Sequence, residues 1–162
     1  MKKALKGLFL GLVMMVGGNT YAGPGEDNFN SRSVADGQVI TLCGSNGRFL
    51  SSENAQRTMR CNRTSIGAWE RFTVDKVGVN PDRFRLIASN GRFVRVQPNN
   101  RLRANGDSTS EAAIFIDSTN NPGGQHSLNT NGVFLSSENG TQSVRANRNS
   151  VGAWERWDVA SQ

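Results

Sequence analysis

Length, composition and charge narrow the classes of protein to which this chain can belong. The chain has 162 residues, which suits one domain, and a formal net charge of +6. Three of its four lysines lie near the N-terminus, and without them 16 basic and 13 acidic residues leave a net charge of +3. So small a basic excess does not predict a nucleic-acid partner.

Residues 1–22 have the pattern of a secretory signal peptide. Three lysines precede an almost wholly apolar segment at 8–16, and Thr20 and Ala22 supply the small side chains of a cleavage site. The apolar segment is too short for a membrane-spanning helix, which needs about 20 residues. We therefore expect cleavage after Ala22 and a secreted or periplasmic protein that does not span the membrane.

Residues 23–38 follow as a polar leader that contains Gly, Asn, Ser and Asp. Two interpretations of this segment stay open: a flexible leader, or a strand that closes the fold. Residues 39–160 are predicted to form the folded domain.

Internal repeats organise this domain. Three segments recur after a constant offset of 85 residues, without a gap: 46–54 in 131–139, 60–63 in 145–148, and 67–71 in 152–156. Because 85 is about twice 42, a third copy is expected between them.

The middle copy is present in a degenerate form. Residues 90–94 match the first motif, residues 103–105 match the second, and Phe115 aligns with Phe72 and Trp157. The Gly-Ala-Trp-Glu block is replaced there by Ser-Glu-Ala-Ala. The predicted repeats are therefore about 39–76, 83–118 and 125–160.

Each copy is predicted to contain four short strands. In the first copy these are residues 39–43, 48–51, 57–61 and 70–74, separated by turns rich in Asn, Gly and Ser. Three such units can close into an all-β β-trefoil, with pseudo-threefold symmetry and a six-stranded barrel capped by three hairpins. A propeller is the second choice, because three blades are fewer than the usual minimum of about four.

The repeated motifs resemble those of fascin-like β-trefoils. They are Asn-Gly-x-Phe-Leu-Ser-Ser-Glu-Asn, then Ala-Asn-Arg, then Gly-Ala-Trp-Glu, and the resemblance covers about residues 40–159. It implies the trefoil fold. Fascins cross-link actin through four tandem trefoils, whereas similar single domains look like carbohydrate-binding modules of secreted bacterial enzymes. We therefore expect a lectin-like, glycan-binding module, with a structural or protein-interaction role, including fascin-like filament binding, as the alternative.

Cys43 and Cys61 form the only cysteine pair. In an exported protein such a pair predicts a structural disulfide, and two unpaired thiols are the alternative. Cys61 aligns with Ala104 and Ala146, which indicates a small side chain facing inward.

Two interpretations fit the repeated Trp-Glu pairs, which are Trp69–Glu70 and Trp154–Glu155. Each pair can form a sugar site with an aromatic platform and a carboxylate. The favoured interpretation is structural: the tryptophan packs under the barrel, and the glutamate pairs with the arginine of its own repeat, Arg63 or Arg148.

Glu53 and Glu138 resemble a pair of catalytic carboxylates. Because they are related by the repeat, symmetry should hold them apart, and we expect each to cap a turn or bond the nearby Asn-Arg segment. The same holds for Asn62-Arg63 and Asn147-Arg148. Asparagine suits left-handed turns, so a turn role is favoured over a ligand role, although all four residues remain binding candidates.

No enzyme, metal site or cofactor is predicted. His126 is the only histidine, and no nucleophile, phosphate-loop or dinucleotide motif is present in the sequence.

The middle copy concentrates arginine within 21 residues. Arg92, Arg95, Arg101 and Arg103, together with Arg83 and Arg85, can bring several guanidinium groups to one sheet surface. This pattern suggests a site for an anionic polymer such as an acidic glycan, and scattered arginines on a solvated face are the alternative. A protein partner is retained as the second class of ligand.

Overall fold

The computed structural model describes residues 34–118 and 121–162. The predicted signal peptide and residues 23–33 of the leader lie outside these described residues. Within the described ranges, no helix has both the length and the apolar character needed to cross a bilayer.

The described chain forms twelve strands and five short 3-10 turns. The strands are β1 (Val39–Gly44), β2 (Phe49–Ser51), β3 (Arg60–Arg63), β4 (Phe72–Lys76), β5 (Arg83–Ala88), β6 (Phe93–Val96), β7 (Leu102–Gly106), β8 (Phe115–Ser118), β9 (Ser127–Thr130), β10 (Val133–Ser136), β11 (Arg145–Arg148) and β12 (Trp157–Ser161). The 3-10 turns are Glu53–Ala55, Ala68–Glu70, Pro122–Gly124, Glu138–Gly140 and Ala153–Glu155.

Six strands form a closed antiparallel barrel. β1 pairs with β12 and β4, β4 with β5, β5 with β8, and β8 with β9. The backbone groups of His126 and Trp157 exchange hydrogen bonds of 2.8 and 2.9 Å beside β9 and β12, which completes the ring. Within residues 34–118 and 121–162, the closed barrel leaves no strand edge unpaired.

Three hairpins, β2–β3, β6–β7 and β10–β11, cap one end of this barrel. They meet in a cycle of backbone hydrogen bonds: Met59 N–H to Leu102 O (2.8 Å), Leu102 N–H to Val144 O (3.1 Å) and Val144 N–H to Met59 O (3.0 Å). All three side chains are fully buried. The predicted β-trefoil with pseudo-threefold symmetry is therefore confirmed, and the three repeats share one core.

Equivalent positions of the repeats fill the barrel. Phe72, Phe115 and Trp157 are each 0% exposed. Trp157 also donates its indole N–H to the Leu135 carbonyl at 3.2 Å, so the larger ring leaves no buried donor unpaired.

The end of the leader packs on the barrel without forming a strand. Val34 is buried, Gly37 N–H donates to Val74 O at 2.8 Å, and Val74 N–H donates to Gln38 O at 2.8 Å. Because β1 and β12 already close the barrel, the alternative of a closing leader strand is wrong for residues 34–38.

Two predicted strand boundaries were also wrong. In the first repeat, the third strand begins at Arg60 and the fourth begins at Phe72. The fourth strand starts late because Ala68–Glu70 forms a 3-10 turn, in which the Glu70 carboxylate accepts the Gly67 N–H at 2.8 Å.

The predicted disulfide is absent, since Cys43 and Cys61 are both free thiols. Cys61 lies under Gly44, where an added Cβ would come within 2.8 Å of the Cys61 sulfur. Successive residues of a strand face opposite sides, so Cys43 points away from Cys61. The Cys61 thiol donates to the Arg48 carbonyl at 3.0 Å instead. Its predicted inward position is confirmed, because Cys61, Ala104 and Ala146 are all buried.

Cys61 gives the protein a distinct response to alkaline pH. Burial raises the pKa of its thiol from 9.0 to about 12, despite a backbone hydrogen bond with Gly44 that lowers it. The folded protein thus holds this proton more tightly than the unfolded chain. That contribution to stability is complete below pH 9.0 and is lost as the pH rises towards 12. We expect the loss to be about 1.4 kcal/mol per pH unit.

Urea denaturation of the wild type and of Cys61→Ala, below and above pH 9.0, measures the contribution of this thiol to the free energy of unfolding. Alanine is the matched replacement, because it occupies the same position in the other two repeats. The free energy of unfolding should fall more steeply with pH in the wild type than in the variant. Parallel pH profiles would contradict the assignment.

Candidate functional site

Two tryptophans of the repeated Gly-Ala-Trp-Glu block face solvent. Trp69 is 40% exposed and Trp154 is 42% exposed, so the expectation that they pack under the barrel is wrong. The 3-10 turn explains their orientation. It places the following glutamate, Glu70 or Glu155, inside the protein and leaves the indole outside.

Backbone contacts fix the turn that carries Trp69. The Gly67 N–H donates to Glu70 Oε2 at 2.8 Å, and the Trp69 carbonyl accepts the Ser52 N–H at 2.8 Å. A Cβ at Gly67 would lie 3.1 Å from Glu70 Oε2, which explains why glycine precedes the turn. The indole is therefore presented on a rigid support.

The same contacts recur around Trp154. The Gly152 N–H donates to Glu155 Oε2 at 2.8 Å, and the Trp154 carbonyl accepts the Ser137 N–H at 2.8 Å. Both supports are thus built by the same local sequence.

An arginine lies beside the first indole. Arg63 Nη2 is 2.8 Å from Glu53 Oε1, and its Nε is 3.8 Å from Glu70 Oε1. Its guanidinium carbon lies 5.9 Å from the centroid of the Trp69 ring, which is within the range of a cation–π contact. Glu53, Arg63, Trp69 and Glu70 are hereafter the first tryptophan site.

The third repeat reproduces the ion pairs of this arrangement. Arg148 Nη2 is 2.9 Å from Glu138 Oε1, and its Nε is 3.6 Å from Glu155 Oε1. Glu138, Arg148, Trp154 and Glu155 are hereafter the second tryptophan site. In both sites the arginine contacts the two glutamates suggested by the sequence, and the carboxylates are largely buried beneath it.

Left-handed backbone at the hairpin tips brings Glu53 and Glu138 to their arginines. Both glutamates have φ of +51°, and the asparagines that follow them have φ of +48° and +52°. Such residues outside glycine are uncommon and strained. The ion pair with the half-exposed arginine offsets part of that strain, so the turn and the carboxylate position depend on each other.

The middle repeat has no tryptophan site. In the strand register, Gly106 lies opposite Phe93 in the middle repeat, and Arg63 lies opposite Phe49 in the first repeat. Glycine therefore occupies the position of the arginine. Alanine stands at the positions of the tryptophan and of its glutamate, at 112 and 113. The described residues therefore contain two tryptophan sites related by the repeat.

The arginines of the middle repeat are largely engaged by other groups. Arg92 forms an ion pair with Asp107, and Arg95 Nη1 lies 3.3 Å from Glu111 Oε1. These carboxylates reduce the net positive charge available to an anionic polymer.

Arg103 reaches into another repeat. Its Nε donates to the Ala55 carbonyl at 3.0 Å, and its Nη2 donates to the Gln56 carbonyl at 3.3 Å. The backbone of Arg101 bridges to Arg145 in the third repeat. Arg103 and Arg101 thus connect repeats at the cap, which is a structural use of residues predicted as ligand contacts.

Asn62 and Asn147 lie outside both tryptophan sites. Asn62 is exposed and lines a shallow cleft between the first and third repeats, whereas Asn147 lines a related cleft between the third and second. The sequence motif gave no indication of these clefts, because each combines residues from two repeats.

His126 is buried against Asp117, with Nδ1 2.8 Å from Oδ2, beside the seam of the barrel. Among residues 34–118 and 121–162, no group of three or more His, Cys, Asp or Glu side chains is placed to hold a metal ion.

Two solved structures share this fold. ThreeFoil, a designed threefold-symmetric protein, matches with a TM-score of 0.63 and 17% identity, over 75% of this chain and 96% of its own. The BEL β-trefoil, in an apo crystal form, matches with a TM-score of 0.64 and 15% identity, over 80% of this chain and 97% of its own. At these identities the likeness shows the β-trefoil fold alone. No protein-family model and no curated protein matches the chain.

Proposed function

We propose that this β-trefoil protein is a non-catalytic, lectin-like module that binds carbohydrate at its two tryptophan sites. The observation that carries the proposal is the pair of exposed indoles, Trp69 and Trp154, on identical rigid turns. The signal-peptide pattern supports a secreted or periplasmic location, where glycans are accessible.

The chemistry of each site suits a sugar ring. An exposed large aromatic side chain offers an apolar face, and a binding site needs only a few well-placed polar groups beside such a face. In the first site the guanidinium of Arg63, whose side chain is 39% exposed, can donate hydrogen bonds to sugar hydroxyls next to the Trp69 ring. The second site offers Arg148, which is held by the equivalent pair of glutamates.

The carboxylates support a binding role over a catalytic one. Glycosidases place an acid and a base on opposite sides of the scissile bond. In the first tryptophan site, Glu53 and Glu70 instead flank one guanidinium and are both largely buried. Their charges are therefore directed at Arg63 and not at a ligand.

Protein interaction is the second candidate, because an exposed indole is also a common anchor of protein interfaces. The resemblance of the repeated motifs to fascin-like β-trefoils supports this second candidate. A fascin-like role in filament binding would use the single trefoil of this chain. The two functions predict different ligands for the same side chains.

A glycan array probed with the exported protein tests the proposal, together with iodide quenching of tryptophan fluorescence. Trp69 and Trp154 are accessible to iodide whereas Trp157 is fully buried, so two of the three emitters should be quenched. A glycan identified on the array should protect both. A silent array, combined with a protein captured through the exposed indoles, would overturn glycan binding in favour of the interaction module.

A further inference from the structure

A cleft of ≈ 340 Å³ lies between the β9–β10 hairpin of the third repeat and the turn after β6 in the second. Its lining includes Val96 and Asn100 from the second repeat, and Thr130, Val133 and Asn147 from the third. No charged side chain lines it. The cleft shares no residue with either tryptophan site.

Two polar atoms of the lining residues have no partner. Thr130 Oγ1 and Asn147 Oδ1 are both buried and make no hydrogen bond within the described chain. Thr130 is only 1% exposed. Buried polar groups are nearly always paired, because an unpaired one costs free energy. Solvent reaches neither atom in this conformation, so a ligand in the cleft supplies the missing bond once the side chain rotates towards it.

The related cleft of the first repeat differs in this respect. There the Asn46 side chain donates to the Cys61 carbonyl at 3.1 Å and accepts the Arg48 N–H at 3.1 Å. Arg48, at the position of Val133, also lines that cleft and brings a charge. The Asn46 side chain of the first-repeat cleft is thus satisfied by its own hairpin.

Turn geometry accounts for the difference. In the third repeat, Thr130 pairs directly with Val133, and the two residues between them, Asn131 and Gly132, have φ of +53° and +82°. This two-residue Asn-Gly turn is the tight form typical of hairpins. Among the described contacts, the Asn131 side chain makes no bond equivalent to that of Asn46, so the hairpin of the third repeat lacks this internal contact.

We propose that this cleft is a separate, single-copy binding site for a neutral sugar unit. The absence of charged lining residues favours an uncharged ligand. Val96 and Val133 can contact an apolar ring face, while hydroxyl groups of the ligand donate to Thr130 Oγ1 and Asn147 Oδ1. The volume is at the small end of ligand pockets, which span about 300–1,000 Å³, and suits one ring. The proposal for this cleft does not depend on ligand binding at the two tryptophan sites.

Calorimetric titration with glucose, galactose, mannose and N-acetylglucosamine tests this site in a Trp69→Ala/Trp154→Ala background, where the tryptophan sites are removed. At least one of these sugars should bind with a stoichiometry of one. Adding Thr130→Val should weaken that binding about tenfold, the value of one hydrogen bond, and should raise the Tm because it removes an unpaired hydroxyl.

Two further variants complete the design. Val133→Arg introduces the residue found at this position in the first repeat and should abolish binding, because it replaces an apolar contact with a charged side chain. Thr41→Val is the matched control: Thr41 is equally buried, but its hydroxyl accepts from Gln162 Nε2 at 3.3 Å and does not line the cleft. It should leave binding unchanged. Absence of binding by all four sugars, or binding that survives Val133→Arg, would overturn the proposal.

Discussion

Replacing both Trp69 and Trp154 with alanine is expected to weaken glycan binding at least about thirtyfold. Truncation of a central aromatic anchor typically costs about 2 kcal/mol or more, which corresponds to that factor. Each indole offers an exposed apolar ring, and the described repeats provide no third copy to replace them. Titration with a glycan identified on the array measures the loss.

Stability separates this functional interpretation from the structural one. Alanine stands at the related position of the middle repeat, at 112, so the fold accepts it there. Because the two indoles are 40% and 42% exposed, we expect each Trp→Ala change to cost no more than about 1–2 kcal/mol of stability. Trp→Phe variants, which keep an aromatic face, should retain most of the binding. Unchanged affinity in the double alanine variant would contradict the site.

Replacing Phe115 with alanine is expected to lower the free energy of unfolding by about 3–5 kcal/mol. Phe115 is fully buried, lies 6.1 Å from Phe84 between ring centroids, and represents the middle repeat in the set that also contains Phe72 and Trp157. Truncation removes buried apolar area and leaves a cavity in the core that all three repeats share. Chemical denaturation measures the change.

Ile116 provides the matched control, since it follows Phe115 on β8 but is 44% exposed. Ile116→Ala should cost less than about 1 kcal/mol, because its side chain points to solvent. Equal effects of the two substitutions would show that the middle repeat does not contribute to a common core.

The fold was predictable because the repeat encodes it. The constant spacing of the first and third copies, and the alignment of Phe115 with Phe72 and Trp157, place equivalent residues in equivalent environments. Each copy has an equivalent set of apolar side chains to bury. The three copies bury them together by closing into one barrel, in which each copy supplies a third of the sheet. The inward position of Cys61 followed from the same alignment.

The direction of individual side chains was less predictable. The tryptophans and the start of the fourth strand were placed wrongly for one reason: the 3-10 turn Ala68–Glu70 stands where that strand was expected to begin. A short turn changes which side of the chain faces the core. The alternation of apolar and polar residues along the sequence does not reveal such a turn. The prediction of a disulfide was wrong for a related reason: the residue that lies over Cys61 is Gly44 and not Cys43.

Contacts between repeats were beyond prediction from local sequence. The run of arginines in the middle copy is real, but Arg103 bonds the backbone of another repeat. The uncharged cleft likewise combines the second and third repeats. Such sites depend on how the hairpins meet at the pseudo-threefold axis.

The binding stoichiometry of a glycan identified on the array tests the central claim most directly. The titration is best made in the Val133→Arg background, in which binding at the cleft is expected to be lost and only the two tryptophan sites remain. We predict two equivalent sites per chain, and one site after either Trp69→Ala or Trp154→Ala. A stoichiometry that stays the same after both substitutions would contradict binding at the exposed indoles.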